Sequence, residues 1–374
     1  MSRKVQHTSE CVHAFAAIRG VQAGREYFVI SVPLRMLPTL FTFDDPTLPP
    51  EQRAQRVVNA ARVPSIAAYL VANPRDYVMS ALTASVDQEV YFEPGNSASN
   101  AGLLKVPMGA RLLVNDGQHR RAAIALALEE CPELSDETLP VTLFLDAGLA
   151  RSQQIFADLN RYALKPSRSL GVLFDQRDPV AAIARTVAQT VDPFRGFTEF
   201  EKTSLSHRTR NVFTLSGIYQ GVSALLRRPR ASVDAGAAEL AVEYWTQVGK
   251  LIRGWGFVDE SRSSHTLRAQ MIHTHAVAIH ALGVAGAGLL AAAPDGWQDR
   301  LQLLRTLDWS RTNTPTWEGR AISNGMITKA GNSVTLTANA IKRALGIDLS
   351  DAELVVEQSV VVREVEASVV DAAA

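Results

Sequence analysis

The sequence predicts an α+β protein: an N-terminal mixed α/β domain over residues 1–180, an all-α domain over 181–350, and an acidic, flexible tail over 351–374. Three observations predict it. Strand-like and helix-like stretches alternate as far as about residue 180, helical patterns alone follow, and the chain ends in a Val-rich acidic run, ELVVEQSVVVREVEASVV. At 374 residues the chain also exceeds what one hydrophobic core usually organises.

REYFVISV (25–32) is rich in β-branched and aromatic residues and stops at Pro33, which reads as a strand. Between Pro50 and Asn73 the pattern is helical and broken by Pro64. Segments 76–86 and 89–93 read as strands, and EPGNSASNAG (93–102) as a turn-rich loop. RLLVN (111–115) is a buried strand, Asp116-Gly117 a turn, and QHRRAAIALALEE (118–130) a helix built on Ala and Leu. LPVTLFLD (139–146) and ARSQQIFADLN (150–160) repeat the strand and the helix. Helices are then expected at 180–191, 211–227, 236–253, 266–292, 297–307 and 334–345. The most apolar stretch, Ala276 to Ala293, is rich in Gly and Ala and contains His280, so it reads as a tightly packed helix or helix pair rather than a membrane span.

Hydrophobic residues make up 47% of the chain and charged residues 20%, which predicts a proper core and excludes wholesale disorder. The formal net charge is zero, so composition alone makes no case for nucleic-acid binding. The charge is unevenly placed, however: without the tail, 37 basic residues stand against 32 acidic ones. A local basic face is compatible with that balance, and a strongly basic surface is not. Cys11 and Cys131 are far apart and in no metal-like spacing, which argues against a disulfide framework or a zinc site and for a reducing compartment. The N-terminus, MSRKVQHTSE, lacks the apolar stretch of a signal peptide. His273, His275 and His280 come with no HExxH pattern or paired carboxylate, so no metal is expected.

The sharpest chemical signal is Asn115-Asp116-Gly117-Gln118-His119-Arg120-Arg121, at the handover from strand to helix. Unsatisfied amides and positive partial charge at a helix N-terminus suit an anion. The amides of Gly117, Gln118 and His119, with the side chains of His119, Arg120 and Arg121, therefore make a candidate phosphate site, and Asp116 is suited to cap the helix. The plain alternative is an ordinary turn out of a strand. A second polar group contains Asp158, Asn160, Arg161, Lys165, Ser167 and Arg168. Asn160, Arg161 and Lys165 either extend the phosphate site or cap and complement a helix C-terminus.

A third group, KTSLSHRTRN (202–211), sets Lys202, His207, Arg208 and Arg210 among four hydroxyls ahead of a helix, and Arg227, Arg228 and Arg230 stand near that helix's end. These are the DNA-binding candidates, through phosphate contacts. A solvated linker capped by Thr209 or Asn211 is the alternative. TLTANAIKRALG (335–346) is a candidate for one helix of a helix-turn-helix. No catalytic residue is assigned.

DGQHR followed by Ala-Ala-Ile resembles the signature of DGQHR-domain proteins, whose fold is related to the ParB and sulfiredoxin superfamily. IRGVQAGREYF (18–28), RAQR (53–56), YVMSALTAS (77–85), FADLNRYALKPSRSL (156–170) and EKTSLSHRTRNVFTLS (201–216) resemble, in the same order, segments of the DndB family of bacterial DNA phosphorothioation systems. The resemblance covers roughly residues 12–225, and the helical half matches less specifically. It implies a ParB/sulfiredoxin-like N-terminal domain in which the polar group at 158–168 faces the DGQHR turn. Gln118 stands where sulfiredoxins carry a nucleophilic cysteine, so thiol chemistry is not expected. Gly117, Arg120 and Arg121 meet the nucleotide signature of ParB proteins only in part.

The resemblance implies a cytoplasmic regulator of DNA sulfur modification, a transcriptional repressor that binds double-stranded DNA at the promoter of the modification operon. Its other expected partners are further phosphorothioation proteins and a second copy of the chain, with no membrane. The sulfur chemistry belongs to other components, and this chain lacks their clustered cysteines and Walker A loop. The alternative is an accessory enzyme, an ATPase or DNA-nicking activity with ATP or another nucleotide at the DGQHR turn. By motif, Asp116 and Asp158 are its nearest carboxylates. A scaffold docking other proteins through the helical half is a third reading.

Overall fold

Strands, several of which bury alternate residues, build the first of the two units into which the chain divides, Met1–Leu164 and Lys165–Ala374. A computed structural model describes residues 11–43, 47–53, 57–96, 98–145, 148–161, 165–227, 232–255 and 264–358. The first unit runs β1 (Val12–Gln22), β2 (Arg25–Pro33), α1 (Leu37–Leu40), β3 (Phe41–Thr42), α2 (Val63–Ala72), β4 (Leu82–Val86), β5 (Tyr91–Gly95), β6 (Ala98–Pro107), β7 (Leu112–Asp116), α3 (Gln118–Glu130), β8 (Thr138–Leu145) and α4 (Leu149–Arg161).

These strands form one mixed sheet in the order β3-β7-β4-β8-β2-β1-β6-β5. β3 runs parallel to β7 and β4 to β8, while the remaining pairs are antiparallel. Alternate residues, such as Phe28, Ile30 and Val32 of β2 and Leu139, Val141 and Leu143 of β8, meet Leu70 of α2 and Ala123, Ile124 and Ala127 of α3 in a single core. β7 therefore lies inside the sheet, and α3 leaves it at a covered edge.

REYFVISV predicts β2, but β1 escapes prediction because only Phe15 and Ala17 of its residues are buried. The two strands are joined by Ala23-Gly24, whose φ angles of 50° and 74° match a mirror-image hairpin turn that follows the strand twist. The expected loop at 93–102 is instead largely paired, from Tyr91↔Lys105 to Gly95↔Ala98. Gly102, which reads as a turn former, marks close backbone approach: a Cβ there would stand 2.0 Å from the Glu93 carbonyl oxygen.

The second unit contains α5 (Arg168–Phe174), α6 (Pro179–Thr190), β9 (Thr198–Glu199), β10 (Phe213–Thr214), α7 (Leu215–Leu226), α8 (Ala235–Leu251), α9 (Ser264–Gln270), α10 (Ala276–Ala292), α11 (Trp297–Leu301), α12 (Thr314–Trp317), β11 (Ile322–Ser323), β12 (Met326–Ile327) and α13 (Ser333–Ala344). α5 and α6 belong here, so the division falls at 164/165 and not at 180/181. α7 and α10 touch through their backbones, since a Cβ at Gly283 would lie 2.1 Å from the Gly221 carbonyl oxygen. That contact accounts for the Gly- and Ala-rich composition of α10. Among the described residues no helix is long and apolar enough to cross a membrane.

The single helix expected at 266–292 is two helices. Met271 bridges to Ser310, and the Ile272 N–H donates to the Trp309 carbonyl, which takes the chain out of helical geometry between α9 and α10. The tail also departs from expectation: residues 351–358 are helical. Glu353 pairs with Lys342 at 2.5 Å, and Glu357 with Arg320 at 2.5 Å and Arg343 at 3.3 Å, which docks this segment near α13. Residues 359–374 lie outside the described ones. α13 carries the proposed helix-turn-helix segment, but Leu336, Thr337, Ala338, Asn339, Ile341 and Lys342 are buried, so this helix cannot lie in a DNA groove.

Candidate functional site

At the end of β7 the chain turns through Gly117, whose φ of 103° belongs to the left-handed region. A Cβ there would also stand 2.3 Å from Leu82 Cδ2, so conformation and space both demand glycine. Gly117, not Asp116, is the N-cap of α3, and no side chain caps the helix. Asp116 instead accepts from Arg120 at 2.6 Å.

The side chains of the turn are committed to this chain's own groups. Arg120 Nη1 donates to Ser80 O at 2.7 Å, Ser80 Oγ at 2.5 Å and Ala81 O at 2.6 Å. Arg121 donates to Phe41 O at 3.1 Å and to Pro38 O, and its guanidinium lies 4.6 Å from the centroid of the Phe43 ring. His119 Nε2 accepts the Asn59 N–H at 2.9 Å, so that nitrogen is taken by this chain's own backbone. The two arginines therefore tie α3 to the residues before β4 and around β3.

Polar atoms without partners lie deeper. Gln118 is 2% exposed; its Oε1 accepts the Gly117 N–H at 3.0 Å, and its Nε2 is buried with no partner. Asn115 is fully buried; its Oδ1 accepts from Ser85 Oγ at 2.7 Å, while its Nδ2 is unpaired. Ser85 Oγ lies 3.5 Å from Ser152 Oγ of α4. The next residue, Gln153, donates to Glu51 O at 2.9 Å and Arg53 O at 3.0 Å, and Arg53 Nε and Nη1 are buried and unpaired. Unpaired buried donors call for acceptor oxygens of a ligand or of water.

The start of α4 is thus what meets Asn115, about 12 Å of helix away from Asn160. Asn160 Nδ2 donates to Phe156 O at 2.8 Å, and Asp158 accepts from Gln154 at 2.7 Å, both within the exposed last turns of α4. Arg161 is exposed at the end of α4 in the first unit, and Lys165 is exposed at the start of the second.

In the second unit, the loop ahead of α7 exposes Lys202, His207, Arg208 and Arg210. Its backbone is held firmly. Glu199 accepts the Glu201 and Lys202 N–H groups, Ser169 Oγ donates to Lys202 O, Arg268 donates to Ser206 O and Ser264 Oγ donates to Arg210 O. Arg208 has no hydrogen-bond or ion-pair partner among the described residues, and Arg210 lies 5.5 Å from the Phe197 ring centroid. Arg227 is exposed at the opposite end of α7, about 18 Å along the helix. Arg228 and Arg230 lie outside the described residues.

Beside this loop lies a cavity of about 420 Å³. His207, His265, Arg268, His275 and Arg311 bring five basic side chains to its wall, and no carboxylate lines it among the described residues. Leu205, Val212, Phe213, Ile218 and Ile279 supply apolar surface. His265 Nε2 and His207 Nδ1 are 3.0 Å apart, so one ring donates to the other. The bases come from segments up to about a hundred residues apart, and no local pattern in the sequence announces them.

Two other histidines of this unit, His273 and His280, do not line the cavity. His273 is fully buried, receives the Trp255 Nε1 hydrogen bond at 2.7 Å on Nδ1, and stands edge-on to the rings of Trp255 and Trp309. Burial, reinforced by the nearby charge of His275, pulls it down to about 3. His280 is lowered to about 4 by burial and by Lys329. Among the described residues no group of three or more His, Cys, Asp or Glu could hold a metal ion.

The model of the DndB family, described as DNA-sulfur modification-associated, matches residues 15–348. No curated protein and no solved structure matches the chain.

Proposed function

We propose, because the chain belongs to the DndB family of DNA-sulfur modification-associated proteins, that it is a DNA-binding regulator of that modification, a repressor that grips duplex DNA at the promoter of the modification operon. The observation carrying this reading is the loop ahead of α7. Lys202, His207, Arg208 and Arg210 are exposed on a backbone already fixed by Glu199, Ser169, Ser264 and Arg268. Charges held this way meet phosphates at little ordering cost. A protein acting on the cell's own operon works in the cytoplasm. The sequence of strand, left-handed glycine and helix at β7–α3 supports reading the first unit as a ParB/sulfiredoxin-like domain, by analogy of form.

The test is a gel-shift series on the DNA upstream of the modification operon with the parent and an Arg208→Ala/Arg210→Ala double variant. Loss of two phosphate contacts should weaken binding by about tenfold or more, while exposed positions leave the melting temperature nearly unchanged. Equal affinity in parent and variant would reduce the loop to a linker.

A second reading, a nucleotide hydrolase or DNA-nicking accessory at the β7–α3 turn with ATP or another nucleotide bound, is favoured by the unpaired buried donors of Asn115, Gln118 and Arg53. Against it, Asp116 is paired with Arg120 and Asp158 bonds to Gln154, so neither offers a free carboxylate for water. Nucleotide turnover that is equal in the parent and a Gln118→Leu variant would remove this reading.

A further inference from the structure

The cavity beside the loop in the second unit brings together positive charge that no carboxylate among the described residues neutralises. A guanidinium has five N–H donors. Arg268 uses one on Ser264 O at 3.3 Å and one on Ser206 O at 2.8 Å; Arg311 uses one on Ala269 O at 3.2 Å and one on Gly325 O at 3.0 Å. Each keeps three donors, and its acceptors are neutral carbonyls, so among the described residues neither charge is compensated. His275, whose ring nitrogen pairs with Arg268 O at 2.9 Å, registers that field: burial first, opposed by that hydrogen bond and helped by the charges of Arg311 and Arg268, pulls it below the usual imidazole value.

We propose that this cavity binds a small phosphate ester, its phosphate on Arg268 and Arg311 and its organic body against Phe213, Ile218 and Ile279. Two fixed guanidinium charges match a phosphate dianion in charge and in planar, forked donor geometry. The volume of about 420 Å³ lies within the range of about 300–1,000 Å³ usual for small-molecule sites. Gly217 and Ala276 keep the wall open where α7 and α10 begin: a Cβ at Gly217 would already stand 3.5 Å from Ala276 Cβ. Because Arg268 also anchors Ser206 O, occupancy acts on the loop that carries Lys202, Arg208 and Arg210. A ligand here is thus an effector of the DNA-binding face. That last link rests on the DNA-binding reading, whereas the binding site itself does not.

The experiment is calorimetry and thermal shift on the full chain with inorganic phosphate, thymidine 5′-monophosphate and a 5′-phosphorylated tetranucleotide. The mononucleotide should bind and raise the melting temperature, and inorganic phosphate should bind more weakly because it lacks the organic body. Arg311→Ala should weaken the mononucleotide by about tenfold or more, the scale of a lost charged hydrogen bond. Arg311→Lys should recover only part of this, because the fork is gone. Ala269→Leu, at an exposed position on the cavity wall, should impair binding without touching a charge.

If the tetranucleotide binds and the mononucleotide does not, the ester is the phosphorylated end of a DNA strand and the cavity assignment stands. Absence of binding by all three probes, or parent-like affinity in both Arg311→Ala and Ala269→Leu, overturns it. The Arg208→Ala/Arg210→Ala variant separates the two readings: it should lose duplex binding and keep the mononucleotide.

Discussion

Arg120 shows how a side chain that looks like a ligand for anions can serve the fold. Its guanidinium joins Ser80, Ala81 and Asp116, so α3, the end of β7 and the entry to β4 meet at one group. Removing it strands the partly buried Ala81 carbonyl and Asp116 carboxylate, together with the exposed Ser80 carbonyl. Arg120→Ala should therefore destabilise the protein by about 2–4 kcal/mol. Arg120→Lys should cost nearly as much, because an ammonium cannot span acceptors on both sides. Denaturant midpoints of both variants measure this. A parent-like midpoint for Arg120→Ala would return Arg120 to the list of groups available to a phosphate.

At the scale of elements, buried ionisable groups set how the second unit responds to acid. His273 is held neutral in the core, lowered from 6.5 to about 3 chiefly by burial. Below about pH 6.5 the unfolded chain takes up a proton on this residue and the folded chain does not. Its contribution is therefore intact above pH 6.5 and is lost as pH falls toward 3, on the order of a few kcal/mol. Melting temperature followed across this window should fall, and a His273→Gln variant should fall less steeply. The same slope in both would assign the acid sensitivity elsewhere.

The helix at 351–358 is a second such element. Burial alone would raise the Glu357 carboxyl, but hydrogen bonds from Arg320 and Asn339 and the charges of Arg320 and Arg343 outweigh it and hold the group below its usual value. Arg320 and Glu357 expose only 13% and 8% of their side chains, so Glu357→Ala leaves a largely buried cation unpaired. A loss of about 3 kcal/mol in the denaturant-unfolding free energy is expected. Unchanged stability would mean that this segment is detached in solution.

For the whole molecule, the proposed DNA binding has to draw its energy from a chain of zero net charge. Counting the helix at 351–358 with the folded body leaves 37 basic against 35 acidic residues up to position 358, so global attraction is negligible. The proposed binding is then local and phosphate-directed. If Lys202, Arg208, Arg210 and Arg227 each neutralise one phosphate, log K should fall against log salt with a slope of about −3 to −4. Affinity that does not change with salt would rule out the phosphate-directed mode.

What the sequence by itself determined are features whose causes are local. REYFVISV predicted β2, and RLLVN, Gly117 and QHRRAAIALALEE predicted β7, the turn and α3, because strand propensity, left-handed glycine and helix propensity act within a few residues. The same locality made the amides at the start of α3 visible as a candidate anion site. Tertiary structure decided who uses the donors: the acceptors of Arg120 and Arg121 lie about forty and eighty residues away, and they took guanidinium groups that the sequence left open to a phosphate. It also turned Gly102 from a turn former into a point of strand contact, docked Glu353 and Glu357 of the acidic tail, and assembled His207, His265, Arg268, His275 and Arg311 around one cavity. A cation's availability depends on which acceptors the fold brings to it, and that competition is non-local in sequence.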